Sequence, residues 1–176
     1  MSFDLIAEVQ EKPGRKPAQP SDRGLPIFDR IKGRTLKALK TSIEEAKGRF
    51  HGEGEGAMDK AYASPCWKVH KPNEENPGQD ELVYVGVPCG NKFMPWFKDS
   101  KGEVTGQPLM DSSVVVAQLE GFLAAMEGLE KTSAKGKEFH DHAVKNAEPP
   151  SQKGNTGKKR FQYDSSEDQW VDTEKK

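Results

Sequence analysis

The chain has 176 residues, of which 33% are hydrophobic and 31% charged, with a formal net charge of −1 and a mean hydropathy of −0.86. That apolar share falls below the roughly 45–50% (Gly included) of an ordinary globular domain, which excludes a large core: about half the chain can be ordered, and the rest buries too little apolar surface to offset its conformational entropy. No apolar run approaches the ~18 residues of a membrane span, no charged segment leads into an apolar one as in a secretory signal, and two cysteines make no disulfide framework, so the expectation is a cytoplasmic protein with reduced thiols, a single Cys66–Cys89 bridge being left open.

The charge is segregated. Residues 1–50 carry a net +4, 60–130 a net −4, 131–160 a net +5 and 161–176 a net −3. The expected organisation is a flexible arm over 1–29, one α+β domain over 30–147, and a disordered tail over 148–176 that is first basic and then acidic. In the arm, Pro13, Pro17, Pro20 and Pro26 preclude a long helix.

The first strong signal lies over residues 34–50. Leu36, Leu39, Ile43, Ala46 and Phe50 share one face of a helix, with Gly48 or Gly52 to end it. Residues 51–60 read as a Gly-rich acidic loop. Glu53 and Glu55 between its glycines would repel a phosphate, so the loop is no nucleotide cradle. Strands follow over 62–70 and 82–87, the second with Val83, Val85 and Val87 on one side. A third runs over 92–98, where Pro95 points to an edge or a bulge, and a short fourth over 104–110. Asp111 or Ser112 can cap a helix over 113–129, whose Val115, Leu119, Phe122, Leu123, Met126 and Leu129 recur at helical spacing. A weaker helix is expected over 134–147, ended by Pro149 and Pro150, and residues 151–176 have no apolar period. The fold class is thus α+β: a three- or four-stranded antiparallel β-meander packed on a C-terminal helix, with an N-terminal amphipathic helix and disordered tails.

Chemistry-bearing residues are few. The histidines are His51, His70, His140 and His142, and no Ser or Cys stands in a nucleophile-elbow context. Cys66 and His70 on one strand would lie about 13 Å apart at about 3.3 Å per residue, too far to share a tetrahedral ion. No catalytic residue, no metal and no cofactor is therefore expected. Nucleic-acid binding has more support. Arg30, Lys32, Arg34, Lys37 and Lys40 form a basic run without an acid inside it, and Lys158, Lys159 and Arg160 form another, as counterion release from phosphates requires. Trp67, Tyr84, Phe93, Trp96 and Phe97 fall in the strand region, where exposed aromatics would stack unpaired bases and buried ones would serve the core. In the tail, Phe161, Tyr163 and Trp170 sit among acids, a pattern that can dock in the basic groove of a protein partner.

The stretch from Leu82 to Met126 reads LVYVGV, then Gly90-Asn91-Lys92, then FMPWF, then Asp99-Ser100-Lys101-Gly102-Glu103, then a helix with Leu119 and Phe122. It resembles the single-stranded-DNA-binding transcriptional-coactivator family, whose fold is four antiparallel strands followed by a helix. The resemblance implies a homodimer that binds unpaired DNA through its sheet, with Lys92, Trp96 and Lys98 as contacts. The expected function is thus a small non-enzymatic accessory protein bound to single-stranded nucleic acid. The alternative is an interaction or inhibitor protein, of the kind small mobile-element genes encode, that acts on a protein partner through its tails.

Overall fold

A computed structural model of the chain describes residues 24–52, 62–146 and 161–172. Helix α1 (Ile27–Ala46) runs into a π-helical turn (Lys47–His51). Strands β1 (Ala63–Ser64), β2 (Trp67–Lys71), β3 (Leu82–Val85), β4 (Pro88–Cys89), β5 (Lys92–Phe93), β6 (Phe97–Lys98), β7 (Val104–Thr105) and β8 (Leu109–Asp111) follow. Helices α2 (Ser112–Glu127) and α3 (Ala134–Asn146) and a hairpin of β9 (Phe161–Asp164) with β10 (Gln169–Asp172) complete the order. The architecture is α+β, as the periodicities predict.

The main sheet is antiparallel, in the order β1-β2-β3-β8. Alternation turns Trp67, Val69, Val83 and Val85 to the helices and buries them against Leu39, Ile43, Val115 and Leu119. Residues 86–108 leave the sheet between β3 and β8 and form two small hairpins, β4–β5 and β6–β7. The strand expected over 92–98 is therefore split around Met94-Pro95-Trp96 and lies outside the main sheet, whose fourth member is β8. A sheet-interior strand must donate from every N–H to its ladder, and Pro95 has none to give. The excursion folds back closely enough that a Cβ on Gly86 would meet the Gly106 carbonyl oxygen at 2.4 Å.

Helix α1 starts seven residues before the predicted 34–50 span, because Ile27, Phe28 and Ile31 extend the buried stripe of Leu39, Ile43 and Ala46 toward the N-terminus. Its C-terminal end also departs from simple periodicity. A strict α-helix would bring Phe50 to the core face; the π turn inserts one residue's worth of rotation and buries Arg49 instead, leaving Phe50 half-buried with its ring 5.1 Å from that of Trp67. Arg49 Nε and Nη2 donate to Glu81 at 3.0 and 2.7 Å, and both side chains are within 1% of full burial. Glu81 also accepts from the Asn73 backbone N–H at 3.1 Å. Burial pushes the Glu81 carboxyl up, but the bonds from Arg49, Asn73 and Gly78 outweigh it and hold the group below its ordinary range. Gly78 passes so close that a Cβ there would stand 2.2 Å from the Arg49 carbonyl oxygen, and its φ of +90° already requires glycine.

Helix α2 is capped as expected, Asp111 accepting from the Ser113 N–H at 2.9 Å. The tail differs from expectation. Residues 161–172 form a hairpin docked on α1 and α3, where a disordered segment was predicted, because Asp168 is buried among partners that no local pattern reveals. The rest of 148–176, and the arm over 1–23, lie outside the described residues. Cys66 and Cys89 are buried free thiols, and desolvation pushes them up to about 11 and about 12. Among the described residues no helix is long and apolar enough to cross a membrane.

Two outcomes follow. Arg49→Ala, which strands the buried Glu81 charge, lowers the urea-unfolding free energy by about 3–5 kcal/mol, and the double substitution Arg49→Leu with Glu81→Leu costs less than either single change. In the folded protein neither cysteine reacts with a disulfide reagent at pH 8 over the hours in which the urea-unfolded chain reacts fully, because the thiolate is the nucleophile and both thiols are buried and protonated.

Candidate functional site

The predicted basic run divides along α1. Lys32 Nζ donates to the Glu127 and Leu129 carbonyls at 3.2 and 2.7 Å, satisfying the C-terminal end of α2. Lys40 forms an exposed ion pair with Glu127 at 3.6 Å, on the side of α1 that faces α2. Arg30, Arg34 and Lys37 lie at helical intervals along another side. Arg30 is half-buried with its Nε unpartnered, while Arg34 and Lys37 are exposed.

Arg34 borders a groove of about 350 Å³ between α1 and the β4–β5 hairpin, and Lys92 borders the same groove from the hairpin. Thr35 holds the two elements together, its hydroxyl donating to the Pro88 carbonyl at 2.7 Å. Asn91 adds an amide to the rim and Phe93 an apolar wall. The turn residue Gly90 has a φ of +67°, which lets the hairpin reverse and present Asn91 and Lys92 outward. Burial, and then the charges of Lys92 and Lys145, push His142 below its ordinary value.

The remaining predicted residues are dispersed. Lys98 is exposed on the β6–β7 hairpin. Trp96 is half-buried: its indole N–H donates to Glu138 at 3.0 Å, Lys135 Nζ sits 5.5 Å from its ring, and Phe139 lies 6.3 Å away. Its ring is engaged within the protein. Trp67 is buried, its N–H donating to the Ser42 carbonyl at 3.0 Å. Lys158, Lys159 and Arg160 lie outside the described residues. Phe161 opens β9. Tyr163 and Trp170 meet edge-to-face across the hairpin with ring centroids 5.9 Å apart, and both pack against the core.

Asp168, which the sequence did not single out, joins the ends of the chain. Its Oδ1 accepts from the Tyr163 hydroxyl at 2.8 Å and lies 2.5 Å from His140 Nε2. Its Oδ2 accepts from Lys131 at 3.0 Å and from the Phe28 N–H at 3.1 Å, and its carbonyl accepts from the Ile27 N–H at 2.7 Å. Pro26 supplies no side-chain cap to α1, so the carboxylate on the helix N-terminus comes from the other end of the chain. Burial alone would raise the acid; the bonds from His140, Phe28, Tyr163 and Lys131 bring it down to about 2, and Tyr163 is pushed up to about 12. No signal for Asp168 was available, since one acid among Asp164, Glu167 and Asp172 looks like the others. Among the described residues no group of three His, Cys, Asp or Glu is placed to hold a metal ion.

Because the Asp168 acid is depressed in the folded state, its contribution is complete above its ordinary value of 3.8 and disappears as pH falls toward about 2. Asp168→Asn therefore weakens hairpin docking at pH 7 by about 1.5–3 kcal/mol, the range for hydrogen bonds to a charged group, read as loss of amide-exchange protection in 161–172, and the difference from the unmodified chain shrinks toward zero as pH falls through about 2.

The chain was compared with protein-family models, with curated proteins and with solved structures, and it matches none of them.

Proposed function

We propose that the protein is a small non-enzymatic accessory protein that binds single-stranded nucleic acid through its phosphates, using the groove between α1 and the β4–β5 hairpin. One observation carries this reading: Arg34 and Lys92, far apart in the chain, border the same groove. Lys37 continues the cationic side of α1 beyond Arg34. Lys158, Lys159 and Arg160 would add to it. The choice of a single strand over a duplex, and binding as a homodimer, are carried over from the resemblance of residues 82–126, although the 92–98 strand lies outside the main sheet. Because Trp67 is buried and the half-buried Trp96 is held by Glu138 and Lys135 of α3, the phosphates and not base stacking on those rings supply the affinity.

A second reading, a protein-interaction module, is favoured by a different observation. Leu82 and Leu109 stand 37% and 44% exposed on the solvent side of the sheet.

The nucleic-acid reading is tested by fluorescence anisotropy of a labelled oligo-dT across a salt series. Affinity falls linearly with the logarithm of salt, with a slope of about −0.7 per phosphate neutralised. Arg34→Ala and Lys92→Ala each remove about one contact from that slope, whereas Lys40→Ala does not. Absence of binding to any single strand at low salt would overturn the proposal.

A further inference from the structure

We propose that the solvent-facing side of the main sheet is a docking surface for an acidic, amphipathic segment of a protein partner. Register places Lys68, Tyr84 and Leu109 side by side in one cross-strand row, and Lys71, Leu82 and Asp111 in the next. The register shift between Val69 and Lys71 leaves His70 exposed on this strand as well, its ring set edge-on to Tyr84 with centroids 4.9 Å apart. The result is a contiguous apolar patch of Leu82, Tyr84 and Leu109 on a side of the sheet that no described helix covers. An antiparallel sheet with one wet face ordinarily carries polar residues there; here two leucines and a tyrosine stand instead, directly beside the cations of β2.

Charge chooses the partner. The outward residues of β2 are Lys68, His70 and Lys71, and that strand carries no acid. The acid of the neighbouring row, Asp111, is engaged in capping α2. A partner with apolar side chains over Leu82 and Leu109 and carboxylates over Lys68 and Lys71 matches both halves of the surface. The size of the patch suits one element of a partner better than a second copy of the chain. Strands about 4.8 Å apart and same-face residues about 6.6 Å apart give the two rows an area of about 200 Å², well under the roughly 800 Å² per partner of a stable association between folded proteins. A single helix or strand fits. Nucleic acid fits less well, because aliphatic leucines flank the half-buried Tyr84 where a base platform would offer further ring faces. The surface lies across the sheet from α1, which carries Arg34, so it stands or falls independently of the nucleic-acid reading.

The test uses the full chain and three probes: an amphipathic peptide of Leu and Glu, its twin with Lys for Glu, and an oligo-dT. The Leu/Glu peptide is expected to shift the amide resonances of 68–71, 82–84 and 109–111. Leu82→Thr combined with Leu109→Thr, which removes the apolar groups but keeps strand-favouring residues, weakens it at least about tenfold, or about 1.4 kcal/mol. Mapping on the unmodified chain keeps the test valid if a variant misfolds. Three results would each overturn the proposal: no shifts at these strands, equal binding of the Leu/Lys twin, or the same shifts produced by the oligo-dT.

Discussion

The Arg49–Glu81 pair sits where the end of α1, the 72–80 loop, the start of β3 and the start of α2 meet. Arg49 reaches it through the π turn, Asn73 donates to it, and the Glu81 backbone exchanges hydrogen bonds with Ser112, its N–H donating to the hydroxyl at 3.2 Å and its carbonyl accepting from the N–H at 2.8 Å. Two buried charges are expensive unless both are paired and bonded, so the geometry around them is held tightly. The rest of the architecture follows. The phase of α1 against the sheet is set by which residue the π turn buries, and the start of α2 is set by Ser112. Gly78 is pinned by contact with the Arg49 carbonyl.

A second buried acid performs the corresponding work at the opposite end of α1. Asp168 caps a helix whose own N-terminus lacks a side-chain cap, and in doing so it turns the C-terminal segment from a tail into part of the domain. Tyr163 and Trp170 then belong to the packing of that hairpin. This placement moves the candidate interaction surfaces away from the described part of the tail. They lie instead at the α1/β4–β5 groove and on the open side of the sheet.

The same division explains why the candidate site was only partly legible. Arg34 and Lys92 stood out as basic residues, and Lys32 and Lys40 stood out equally. Nothing in the spacing separates a lysine that caps the carbonyls of α2 from an arginine that lines a groove, since the difference is made by which helix packs alongside. Trp96 looked like a base-stacking residue because strand aromatics alternate between faces. It is instead held by Glu138 and Phe139 of α3, whose position over the excursion is a tertiary fact. The platform of Tyr84, Leu82 and Leu109 depends on β3 pairing with β8, and the sequence suggested the intervening 92–98 stretch as the neighbour.

What the sequence alone determined are the properties that repeat locally: the stripe of α1, the alternation of Val83 and Val85, the Asp111 cap and amphipathic face of α2, and the acidic character of the 60–130 segment. These follow from periods of 3.6 and 2 and from short-range capping, which any stretch of chain expresses by itself. What only the tertiary structure decided are the burial of Arg49, Glu81 and Asp168, the exclusion of 92–98 from the sheet and the hairpin at 161–172. A charge can be buried only where its partner waits, and here the partners are 32 residues away for Arg49 and Glu81 and 140 for Asp168 and the α1 terminus. Such pairings carry no periodic signature, so composition reads them as ordinary surface charge until the chain has folded around them.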